Sequence, residues 1–136
     1  MSLRALLVAA VITLPVAAGA QTTAAPLELE TKIPLGPVAG RIDHLAVDLK
    51  RQRLFVAELG NDTIGVVNLA ARKVPSTMFG AKQPQGIAYE PSTDTVYVAN
   101  AGDGSVRVLR AEDLTLLGRI DLGDDADNVR IDPQHK

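Results

Sequence analysis

The chain has 136 residues, a net charge of −2, no cysteine, no tryptophan and only four aromatic residues. That length points to one domain, and without cysteines there is no disulfide framework, so stability has to come from packing. A mildly acidic balance with no cluster of Lys and Arg argues against an electrostatic grip on nucleic acid or on an anionic membrane.

Residues 1–20 read as an export signal. Arg4 supplies a short positive region, Ala5 to Leu14 is an apolar run stopped by Pro15, and Ala18-Gly19-Ala20 is a small-x-small cleavage pattern. Ten apolar residues are too few for a bilayer core, which takes about 20. Cleavage would leave no membrane span, 13 basic against 16 acidic residues, and a periplasmic or secreted protein. Residues 21–40 contain an alternating run, Leu27, Leu29, Thr31, Ile33 and Leu35, expected to form a lone closing strand followed by a linker.

From residue 41 the chain repeats itself. Leu45-Ala46-Val47-Asp48 returns as Ile87-Ala88-Tyr89-Glu90, and Leu54-Phe55-Val56-Ala57 returns as Val96-Tyr97-Val98-Ala99, each 42 residues later. Gly60 falls on Gly102, and Val66-Val67 on Val108-Leu109, at the same offset. A third copy starts at Val129, with Val129-Arg130-Ile131-Asp132-Pro133 on Ile87 to Pro91. Each full copy divides into four short strands: Leu45–Val47, Leu54–Leu59, Thr63–Leu69 and Lys73–Met78 in the first, then Ile87–Tyr89, Val96–Ala101, Ser105–Arg110 and Leu116–Leu122 in the second. Between the middle strands lie Gly60-Asn61-Asp62 and Gly102-Asp103-Gly104, residues that tolerate the positive φ of tight turns.

Four antiparallel strands every 42 residues is the spacing of a β-propeller blade. Helical repeats do not fit, because no window sustains a 3.6 period. The middle strands are apolar on consecutive residues, as suits a sheet covered on both faces. The expectation is an all-β protein with blade 1 at 41–82, blade 2 at 83–124 and the first strand of a truncated third blade at 125–136. Closure takes roughly 4–8 blades, so the ring is incomplete and needs further blades or further chains.

The stretch "TVYVANAGDGSVRVLRAEDLTLLGRIDLG", Thr95 to Gly123, resembles the YVTN-type propeller repeat, departing from it at Leu109-Arg110, where that repeat usually has Ile-Asp. The resemblance runs from about Arg41 to the C-terminus and is most like exported YncE-like proteins. It implies the fold; it says little about activity, because propellers host binding, scaffolding and several chemistries.

Candidate site residues sit just before the innermost strands: Asp43-His44, Gln85-Gly86 and Asp127-Asn128, with Arg41 and Arg130 nearby. At a channel mouth they would orient a small polar ligand; capping of turns is the competing explanation, since Asp and Asn bond nearby backbone N–H groups. The acidic run Asp121 to Asn128 raises the question of Ca²⁺, but it lacks the spacing and distal Glu of an EF-hand loop, and no cofactor is expected. Glu58 and Asn100 share one repeat position, at the ends of their strands, and match the residue types with which gluconolactonase-like propellers hold a channel metal; ordinary turn residues explain them as well. Only His44 and His135 are present, which excludes a His-rich metal site, and Phe55 and Tyr97 share a repeat position that reads as core. The leading expectation is a non-catalytic binding or scaffold module for a small molecule or partner protein; the alternative is a lactonase-type hydrolase with a channel metal.

Overall fold

The computed structural model describes residues 27–132 and 134. Eight strands follow in order: β1 (Leu45–Asp48), β2 (Arg53–Glu58), β3 (Thr63–Asn68), β4 (Lys73–Phe79), β5 (Pro84–Glu90), β6 (Thr95–Asn100), β7 (Ser105–Arg110) and β8 (Leu116–Asp121). They form two antiparallel four-stranded meanders, β1-β2-β3-β4 and β5-β6-β7-β8. There is no α-helix among the described residues, and neither sheet closes on itself. Both sheets belong to one compact unit, Thr31–Lys136; Leu27–Glu30 precede it without regular structure.

The repeat is one of backbone as well as sequence. Positive φ recurs at matched positions: Gln52 (50°) and Asp94 (53°), Asp62 (57°) and Gly104 (60°), Arg72 (53°) and Leu114 (59°). Left-handed backbone is unfavourable for a bulky residue such as Leu114, so turn geometry here overrides local preference. Gly60 and Gly102 have a different reason to be glycine. A Cβ on Gly60 would lie 2.9 Å from Gly40 Cα and still nearer to Ala39 O, and one on Gly102 would lie 3.2 Å from Lys82 O. In each sheet the chain arriving at the innermost strand crosses directly over this turn.

Cross-strand register fixes which side chains share a face. Phe55 lies opposite Val66 and Ala57 opposite Ile64. With Ala46 they pack on Ile87, Val96, Val98 and Leu109 of the second sheet, making one core between the sheets. Position in the repeat does not by itself decide burial; the presence of a neighbouring sheet does. Ile87 faces the first sheet and is 6% exposed, whereas its counterpart Leu45 is 53% exposed. Phe55 is fully buried, but Tyr97 in the same position is only half-buried, a correction to the expectation that both are core. Tyr97 points away from the first sheet into a cleft of about 340 Å³ that it lines with Glu90, Ser92, Thr93 and Val129–Asp132.

Two expected strands are absent. Residues 27–35 form no strand, and neither do Val129–Asp132. A strand exists by virtue of its ladder, and a short extended segment without a partner leaves its N–H and C=O groups to water. The export signal and His135 fall outside the described residues. Among those described, no helix is long and apolar enough to cross a membrane.

Candidate functional site

The segments leading into the innermost strands meet at one end of the two sheets. Backbone bonds from Asp43 N to Ala57 O (3.1 Å) and from Ala57 N to His44 O (3.0 Å) carry the β1–β2 pairing past the strand and hold Asp43 and His44 in place. Arg41 Nη2 donates to Asp43 Oδ2 at 2.7 Å and to Gln85 Oε1 at 3.2 Å, so one guanidinium ties the first sheet to the second. His44 N donates to Gln85 O at 3.3 Å, a second tie between the same segments. His44 Nδ1 is buried and lies 3.0 Å from Asp43 Oδ1, off the line of a hydrogen bond but near enough for an ion pair when the imidazole is protonated.

The third segment joins them through Gly86. A Cβ there would lie 2.9 Å from Val129 N and 3.0 Å from Asn128 Cα, so only glycine lets this backbone close in. Asp127, Asn128 and Arg130 are exposed; Arg130 Nη1 donates to Asn128 Oδ1 and to Val129 O. Arg41, Asp43, His44 and Gln85 are thus tied together with the Asp127-Asn128 backbone packed against Gly86, whereas Arg130 lines the cleft beside Tyr97 with Glu90, Ser92 and Thr93. Such a set can orient a small polar group by hydrogen bonding. It contains no nucleophile paired with a base, and no three His, Cys, Asp or Glu side chains converge as metal ligands among the described residues.

Glu58 and Asn100 are engaged in holding turns. Glu58 is 3% exposed, lies over Gly65 and accepts from Thr63 Oγ1 at 2.6 Å. Asn100 is fully buried; its Nδ2 donates to Val98 O (3.1 Å) and its Oδ1 accepts from Lys82 N (3.0 Å).

At the opposite end of β1 and β5 is a charged network that the sequence analysis did not single out. Arg51 donates to Asp94 through both terminal nitrogens (2.7 and 2.6 Å) and to Asp48 Oδ2 at 2.9 Å. Arg53 donates to the same Asp48 oxygen at 3.1 Å, and the Tyr89 hydroxyl donates to Asp94 at 3.0 Å. Burial pushes the Asp48 carboxyl up, but the bonds from Arg51 and Arg53 outweigh it and hold the group below the usual carboxylate value. Asp94 is held below that value chiefly by its bonds from Arg51, and Arg51 is correspondingly raised, first by Asp94 and then by Asp48. Arg53 also lies over the Phe55 ring at 5.3 Å, and Phe55 meets Tyr89 at 6.1 Å, which joins this network to the core between the sheets. A cleft of about 500 Å³ opens beside it, lined by Val47, Leu49, Lys50 and Pro91 as well as the charged groups. The available signal was an acid with two arginines around one turn, Asp48-x-x-Arg51-x-Arg53.

Solved structures similar to this chain include three of β-propeller type. The chain is similar to hydrazine synthase of Kuenenia stuttgartiensis, with a TM-score of 0.63 and 22% identity over 80% of this chain and 29% of that one. It is also similar to apo AztD of Citrobacter koseri (TM-score 0.55, 16% identity, 65% of this chain and 25% of that one). Sqt1 of Saccharomyces cerevisiae shares the arrangement as well (TM-score 0.54, 10% identity, 62% and 22%). The fold is an incomplete β-propeller. The two sheets are its blades, and the chain spans less than a third of each of these propeller proteins. At such identities the likeness carries the fold alone. No protein-family model and no curated protein matches the chain by sequence.

Proposed function

We propose that the chain is part of an exported, YVTN-type propeller, YncE-like in kind, that binds a small polar molecule or a partner protein through the loops at its channel mouth. The observation carrying this reading is the convergence of Arg41, Asp43, His44 and Gln85 from two blades, with the Asp127-Asn128 segment packed against Gly86. Export rests on the Arg4, apolar-run and Ala18-Gly19-Ala20 pattern.

Two variants test the reading, His44→Ala and Arg41→Ala, each compared with the unaltered chain after incubation with a small-molecule and protein extract of the cell envelope. The expected result is a molecule retained by the unaltered chain and lost from both variants, at unchanged melting temperature. Identical retention by all three would overturn the assignment, and a parallel loss of stability would make His44 a packing residue. For the hydrolase alternative Glu58 and Asn100 are candidate metal ligands, and their existing bonds weigh against that role. A rise in melting temperature with millimolar Ca²⁺ would revive that alternative.

A further inference from the structure

Stacking of further blades covers the faces of a propeller sheet but leaves the edge of its outermost strand at the rim. The two outer strands of this chain treat that edge differently. β4 carries Pro75, which removes a backbone donor, and its residues Ser76 and Thr77 are polar. β8, 42 residues on, has Leu117 in place of Pro75, and Leu116, Leu117, Ile120 and the following Leu122 are 58, 51, 49 and 61% exposed. A register shift next to Leu117, matched on β4 by the one between Val66 and Asn68, ends the regular ladder on one side and leaves Gly118 to Asp121 as the regular edge.

That edge is complementary to itself. A two-fold axis through Ile120 sets two copies antiparallel, with Ile120 opposite Ile120, Gly118 opposite Leu122, and Arg119 opposite Asp121 on both sides. Arg119 and Asp121 share one face of the strand and already pair within the chain, Arg119 Nε to Asp121 Oδ1 at 2.7 Å, with Arg119 Nη1 also donating to Asp103 at 3.0 Å, so the axis places two such pairs side by side with Arg119 facing Asp121 across it. In β4 the matching residues are Thr77 and Phe79, with no charge to set a register. We infer that the β8 edge is an interface on which a second copy of this chain pairs, strand to strand and antiparallel about Ile120.

The chain has no cysteine, so Ile120→Cys introduces a single thiol. Antiparallel partners are about 4.5–5.5 Å apart at Cα, inside the span a disulfide bridges. Mild oxidation of the full chain is expected to give a covalent dimer at least about tenfold faster than Met78→Cys, the matching position on β4. Adding Arg119→Asp to Ile120→Cys should abolish the advantage, as should adding Asp121→Arg alone, and mixing the two double variants should restore it as a mixed dimer, a recovery that the pair within one chain would not produce because it is broken in both. Equal rates at positions 120 and 78, or an Arg119→Asp variant that crosslinks as fast as its parent, would overturn the proposal. So would a dimer in solution whose Ile120→Cys form fails to crosslink, since association would then use another face.

Discussion

If burial in this protein is set by the neighbouring blade, one substitution made at the same repeat position in both blades should cost very different amounts. Phe55 is fully enclosed between the sheets, touching the Tyr89 ring and carrying Arg53 over its face. Phe55→Ala is expected to cost about 4 kcal/mol, the usual result of emptying a buried aromatic site. Tyr97→Ala removes a side chain of similar size from a half-buried position that faces a cleft. With about half the apolar area returned to water and no sealed cavity left behind, its cost should be about 1–2 kcal/mol. Urea unfolding followed by far-ultraviolet circular dichroism reads the difference as a midpoint shift at constant slope. In a unit of this size the gap corresponds to roughly 10 °C or more in melting temperature. A second pair guards against outright unfolding of Phe55→Ala: Ile87→Ala, from a 6% exposed site, should cost more than Leu45→Ala, from a 53% exposed one. Equal costs within either pair would refute the reasoning, because they would mean that each blade stabilises its own side chains without help from the next.

Three further outcomes are expected. Asp48 and Asp94 both have folded pKa values below the ordinary 3.8, so the stability they contribute is full above that value and is lost as pH falls below it. The stability gap between the unaltered chain and Arg51→Met should therefore be widest near neutrality and close below about pH 4, which chemical denaturation at stepped pH would measure. Asn100→Asp replaces two donated bonds with a buried carboxylate facing the Val98 and Ser105 carbonyls, and a loss on the order of 3 kcal/mol in unfolding free energy is expected. Gly86→Ala puts a Cβ into the backbone of Asp127–Val129; faster amide exchange at Ala126–Ile131 without loss of the two sheets, together with loss of any ligand retained at the channel mouth, should follow.

Sequence periodicity carried the fold a long way. The 42-residue offset, the consecutive apolar residues of the middle strands and the Gly/Asn/Asp turns together specify two four-stranded meanders, and the strands form within a residue of where those signals put them, except that β5 starts at Pro84, ahead of the expected Ile87. The reason is local: turn chemistry and strand pattern act between residues close in the chain. The same pattern misled at Leu27–Leu35 and Val129–Ile131, where the alternation of a strand is present but no ladder partner is. The approach segments were visible as polar residues before each innermost strand. Their convergence was not, because the bonds from Arg41 and His44 to Gln85 join residues more than forty positions apart. Tertiary structure alone decided that Arg51 and Arg53 hold Asp48 and that Arg51 reaches Asp94, and that Phe55 is enclosed while Tyr97 in the same register is not. A repeat writes the same chemistry into each blade, and the stacking of one blade on the next determines which of those side chains are covered.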